Sequence, residues 1–261
     1  MKEIPQNFLA GIQRLATAIR YAGAILPNLF VTLIILRSLI RLFYLLASIL
    51  PFKTLLVLAP DYTLPEILEP YFHSKEALAY SLCLTIALFM IGAKLCEFLV
   101  EVIKNKKARV FLGDGYARKI KRRVNLLSII SKATDAASAI IIATLAIAVL
   151  MFIHYQTGIA IGASSMLCIG AAVFARGDLE KYIRHSPFRY LQQCVTGAAF
   201  MSFIVLVATS LTASPPPDFL SLVACLILLR QYCQSVEQTV TVALSLKEDD
   251  EHLERVFGGN I

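Results

Sequence analysis

The side chains best placed to do chemistry lie in one apolar run near the C-terminal end of the sequence. Arg230, Gln234, Glu237 and Thr241 are spaced so that one face of an α-helix carries all of them, with Gln231 and Gln238 beside it. Asp218 opens that run, so Arg230 lies about 18 Å into the helix, well within hydrocarbon if the run crosses a bilayer. A guanidinium at that depth must face protein or water and find a partner. The stripe therefore reads either as a polar translocation path or as a buried network that holds a bundle together. The other reactive side chains do not converge. His73, His154, His185 and His252 fall in four separate loops or turns without metal-ligand spacing. Cys83, Cys96, Cys168, Cys194, Cys225 and Cys233 lie in or beside apolar runs with no CxxC pair, and read as small packing residues. No G-x-S-x-G, H-E-x-x-H or phosphate-loop pattern occurs. The expectation is no catalytic residue, no metal and no cofactor.

Two further groups concern helix contact. Arg37 and Arg41 interrupt the first long apolar run, and Glu97 and Glu101 the second. In an antiparallel pair of spans Arg41 is level with Glu97, and Arg37 with Glu101, so these are candidate interhelix ion pairs. Gly158 and Gly162 form a GxxxG, followed by Ala163, Ser164, Ser165 and Gly170. Such a small-residue face permits close helix packing, and Gly158 and Gly162 are the candidate packing residues.

What must position these residues is a membrane bundle. Of the 261 residues, 57% are hydrophobic and 16% charged, with a mean hydropathy of +0.69, outside the range of a soluble domain. The net charge of +7 does not point to nucleic acid, because the block from Lys104 to Arg123 holds nine basic residues and one acid. Such a block cannot cross a bilayer and is retained on the cytoplasmic face. Residues 176–189 form a second, weaker basic connection, whereas 60–75 and 214–217 are proline-rich and not basic.

The fold class expected is all-α, a polytopic helical bundle of six transmembrane helices preceded by an interfacial amphipathic helix over 5–26, whose apolar face holds Phe8, Ile12, Leu15 and Ile19. The spans fall at about 29–59, 77–103, 133–153, 157–175, 190–212 and 218–246, with 247–261 an acidic cytoplasmic tail. The stretch 29–59 is expected as one helix, because no Gly, Pro, Asn or Asp accompanies Arg37 to Arg41; a split into two spans there is the alternative. Residues 154–158, His-Tyr-Gln-Thr-Gly, supply the turn of a tight hairpin. Alternation of sides puts both termini in the cytoplasm, in an integral membrane protein of the bacterial inner membrane.

Gly113-Asp114-Gly115-Tyr116-Ala117-Arg118 resembles the Asp-Gly…Ala-Arg core of the CDP-alcohol phosphotransferases, but it is one residue short and lacks the preceding aspartate and the downstream acidic pair. It reads as a polar cytoplasmic turn. The order of parts resembles the transmembrane domain of ABC exporters: an elbow helix, a proline-containing first span, an external loop, six spans, and a last span leading to a polar helix. Residues 198–256 carry the span, short loop, span and Arg cadence of that resemblance. It implies an integral membrane transport or assembly component that works with partner chains, and since no Walker A sequence follows, its ATPase is either a separate subunit or absent altogether. Membrane lipids and protein partners or further copies of the chain are the expected partners, and nucleic acid is not. The rival readings are a structural or scaffolding subunit of a larger complex and a membrane-embedded transferase acting on lipid-linked substrates.

Overall fold

A computed structural model describes the backbone of residues 13, 15–20, 22–24, 27–59, 71–72, 74–112, 117–174, 187–212 and 219–248. The Gly113–Gly115 turn, the acidic tail, and the connections at 60–70, 175–186 and 213–218 lie outside the described residues, as do Phe8 and Ile12. The described elements are all helices. In chain order they are α1 (Pro27–Val57), α2 (Lys75–Leu112), α3 (Ala117–Ile153), α4 (Tyr155–Phe174), α5 (Pro187–Thr212) and α6 (Phe219–Glu248). Five of them, α1, α2, α3, α5 and α6, are long and apolar enough to cross a membrane, and the chain is an integral membrane protein. Arg37 and Arg41 lie in the unbroken middle of α1, which also carries Pro51 within it. Residues 15–20 and 22–24 are helical, and bury Leu15, Ala18 and Ala22 in one cluster with Leu29, Phe30 and Leu33 of α1.

The apolar sequence of α3 explains its central place. Its span is the most buried of the five at 33%, against 11% for α2, because Ala133, Ala136, Ser138 and Ala139 are small enough to let neighbouring backbones approach. α3 packs most extensively against α6, and α1 packs on both. α2 attaches to the outside of α1, and α5 to α6, with α4 joined to α5. Along the bundle the core forms three clusters. The first joins residues 15–33 to Val100, Ile129, Ile130 and Ala243 at the end where the basic connection lies. The second joins Leu150, Ile161, Leu206, Cys225 and Leu228. The third holds Val57 against Leu78 and Ala79 at the far end of α1 and α2.

Directions follow from the contacts. The Phe43 ring stacks on Phe89 at 5.6 Å, and Val57 meets Leu78, so numbers rise on α1 as they fall on α2 and the two are antiparallel. Arg37 meets Ser131 while Arg41 meets Asp135, so α1 and α3 are parallel. The α3–α4 connection is one residue long. His154 alone is non-helical between them, and a Cβ on Gly158 would lie 2.6 Å from Met151 Cγ and 2.9 Å from the Met151 backbone nitrogen. Only glycine allows a turn so tight. The His154 ring ties it down, with Nδ1 2.9 Å from Thr157 Oγ1 and Nε2 3.2 Å from Thr209 Oγ1 on α5. The Thr209 hydroxyl also donates to the Val205 carbonyl at 2.6 Å.

Candidate functional site: a charged clamp and a lateral groove

Two sites gather the polar side chains of this apolar bundle. The first is a clamp at the junction of α1, α2, α3 and α6. Arg37, 8% exposed, extends from α1 to the Asp135 carboxylate of α3, with which it forms an ion pair. The nitrogen that makes this pair, Nη1, also reaches the Ser131 carbonyl and, at 2.8 Å, Thr134 Oγ1, while Nη2 donates to Ser131 Oγ at 2.9 Å. One guanidinium thus meets four acceptors on one helix, which is what a desolvated cation requires. Arg41, one turn on, donates to Gln238 Oε1 of α6 at 2.7 Å and to the Asp135 carbonyl at 3.3 Å. Lys104 of α2 donates to Ser131 Oγ at 2.8 Å. The clamp borders a cleft of about 490 Å³ that Glu97 and Glu101 also line.

The four residues singled out as ion pairs therefore share one cleft, but the pairing differs from Arg41–Glu97 and Arg37–Glu101. Arg37 pairs with Asp135, and Glu97 pairs with Lys94 on its own helix at 2.8 Å. Glu97 also accepts the Tyr44 hydroxyl at 2.7 Å. Equal depth does not mean facing: α1 turns Phe43 and Tyr44 toward α2, and its arginines toward α3. Asp135, Ser131, Thr134 and Lys104 were missed as partners, and Gln238 was placed beside the Arg230 stripe. Ser131, Thr134, Asp135 and Ser138 have helical spacing and form a polar stripe in an apolar run, the signal that could have found the clamp.

The second site is a groove between α5 and α6 of about 470 Å³, lined by Gln192, Thr196, Arg230, Gln234 and Glu237 and by apolar side chains including Phe200, Phe203 and Leu226. Arg230 and Gln234 are exposed, as are Phe200 and Phe203, so the groove opens sideways on the outside of the bundle and is not an enclosed channel. Thr241, the fourth residue of the stripe, does not line it; its hydroxyl donates to the Glu237 carbonyl at 2.8 Å and its side chain is exposed. Gln238 leaves the stripe for the clamp. Among the described residues, the side chains of Gln192, Arg230, Gln234 and Glu237 have no hydrogen-bond or ion-pair partner. A charged side chain at the middle of a bilayer costs about 3 kcal/mol on insertion scales, so an arginine held there unpaired marks a place that something else completes.

The GxxxG residues separate. Gly158 belongs to the α3–α4 turn, whereas a Cβ on Gly162 would meet nothing within 4 Å, so the two do not form one crossing surface. The six cysteines are free, and among the described residues no group of three or more His, Cys, Asp and Glu side chains is placed to hold a metal ion. Compared with models of known families, with curated proteins and with solved structures, the chain matches none.

Proposed function

We propose that this chain is a non-enzymatic transport or assembly component of the bacterial inner membrane, exporter-like in shape, working with partner chains that include a separate ATPase subunit. In this reading α4 is a sixth span, the segment before α1 an interfacial helix, and both termini are cytoplasmic. The observation that carries it is the α5–α6 groove: Arg230, Gln234 and Glu237 line it in a helix apolar enough to span, without partners among the described residues. A lateral polar groove gives a cargo or a partner access from within the bilayer, which a lipid-sealed scaffold does not require. The clamp supports the reading in a second way, since it gives α1, α3 and α6 a rigid frame against which α4 and α5 can work.

The deciding experiment compares Arg230→Ala with the parent protein for both transport and quantity of assembled protein. Loss of transport with normal insertion supports the proposal; loss of assembled protein assigns the stripe to structure. Affinity capture of the tagged chain, with ATPase activity measured on what it retains, tests the partner.

A further inference from the structure

The α5–α6 groove is graded along its length. Cys233 Sγ lies 3.9 Å from the Val195 carbonyl, which sets α5 and α6 level at that point and puts Gln192 near Glu237 and Phe203 near Leu226. Gln192, Thr196, Gln234 and Glu237 thus occupy the end toward the basic connections, and Phe200, Phe203 and Leu226 the end toward the bundle's middle. Arg230 stands at the border, about 17 Å from the Phe219 end of α6, with Glu237 about 27 Å from it.

We propose that this groove binds a phosphate-bearing membrane amphiphile, its phosphate on Arg230, its polar substituents among Gln192, Gln234 and Glu237, and its chains along the apolar half and out through the lateral opening. The inference rests on the transport reading and names its substrate class. Three observations point to this occupant. Arg230 is an exposed cation without a partner among the described residues, and a planar guanidinium matches the oxygens of a phosphate in a bidentate way. The groove changes from polar to apolar in the sense in which an amphiphile does, and it is open to the side from which a lipid arrives. Among the described residues a second copy of this chain supplies no counter-charge at that level, because Glu97, Glu101, Asp135 and Glu237 all lie nearer the basic connections, about 27 Å or more from the opposite helix ends, and Glu76 lies at the opposite end itself. Glu237 sharpens the match: a carboxylate at the outer end of the polar half repels an anion there and favours a hydroxyl or ammonium substituent, leaving the phosphate to Arg230.

The test uses the purified full chain in phosphatidylcholine nanodiscs containing a trace of photoactivatable phosphatidic acid, with adducts mapped by mass spectrometry. Labelling is expected within 192–203 and 226–237, to fall at least five-fold in Arg230→Gln, and to persist in Arg230→Lys and in Lys94→Gln, which removes a different membrane-level cation. Gln234→Leu is expected to lower it as well, which keeps the test open should Arg230→Gln fail to fold as judged by size-exclusion elution. Competition with unlabelled phosphatidic acid against a polyprenyl phosphate separates a bilayer phospholipid from a lipid-linked carrier as the source of the phosphate. Equal labelling in Arg230→Gln, or labelling spread over the bundle surface, overturns the proposal. So does capture of a second polypeptide by a photo-crosslinker at Phe200 in cells, which makes the groove a helix-docking surface. Unchanged labelling together with lost transport in Arg230→Ala removes this inference and leaves the proposed function standing; labelling as expected with normal transport does the reverse.

Discussion

Arg37 of α1 is bound directly to Asp135 of α3, although α2 lies between the two helices in sequence. The pair is largely withdrawn from water on the arginine side, at 9% exposure, and more open at Asp135, at 34%. Removing one partner of such a pair strands the other, and the cost of that exceeds what the intact pair contributes. Asp135→Asn and Arg37→Met are each expected to destabilise the bundle by about 3 kcal/mol, the double variant Arg37→Met/Asp135→Asn by less than the sum. Unfolding in a graded denaturing detergent measures this, and strict additivity in the cycle would mean that the two side chains do not interact.

The same geometry makes a contrary prediction for Arg41 and Glu97. Exchanging their charges is not expected to restore a protein weakened by either single reversal, because Arg41 serves Gln238 and Glu97 serves Lys94 and Tyr44. Rescue of expression by the double reversal is the outcome that contradicts the clamp as described.

Gly158 and Gly162 are expected to differ sharply. Alanine at 158 must push its Cβ into the Met151 backbone, which cannot yield as a flexible side chain does, so Gly158→Ala should open the α3–α4 turn and lower the melting temperature by several degrees. Gly162→Ala meets open space and should leave stability unchanged within about 0.5 kcal/mol or raise it slightly through helix propensity. Thermal scans of the two variants side by side decide the matter.

The Ser235 hydroxyl is buried, with no hydrogen-bond partner among the described residues. A hydroxyl of that kind carries a desolvation cost that alanine lacks, so Ser235→Ala is expected to be neutral or stabilising, by up to about 1 kcal/mol. A loss of stability beyond that range would reveal a partner for the hydroxyl.

Reporter fusions give the sidedness. Fusions at Gly115 and Glu251 are expected to report the cytoplasm and a fusion at Glu66 the opposite side, as the basic block from Lys104 to Arg123 requires. An external Gly115 contradicts the proposed orientation.

The all-helical, multi-pass class was legible because long apolar runs and the charges between them are one-dimensional signals. The break at His154 to Gly158 was also legible, since a small residue permits the close turn that the length of the uncharged run demands. The partner of Arg37 was not. Depth along a helix can be counted from residue numbers, but the direction a side chain faces depends on which third helix packs alongside, and α3 was that helix. Asp135 was visible only as an isolated acid, because the polar residues grouped around it are serines and a threonine that a count of charges passes over. The Arg230 stripe was read as one face, which its spacing fixes; that Thr241 does not line the groove depends on where α5 runs beside α6, which spacing along one helix does not give.

The clamp also sets a waiting time during synthesis. Arg37 emerges from the ribosome nearly a hundred residues before Asp135, which at typical elongation rates of about 5–20 residues per second is a delay of roughly 5–20 s. For that interval α1 holds an arginine whose four acceptors have not yet been made, and Gln238, the partner of Arg41, follows later still. The first helix therefore packs on α2 through Phe43–Phe89 and Val57–Leu78 before its arginines gain their partners on α3 and α6.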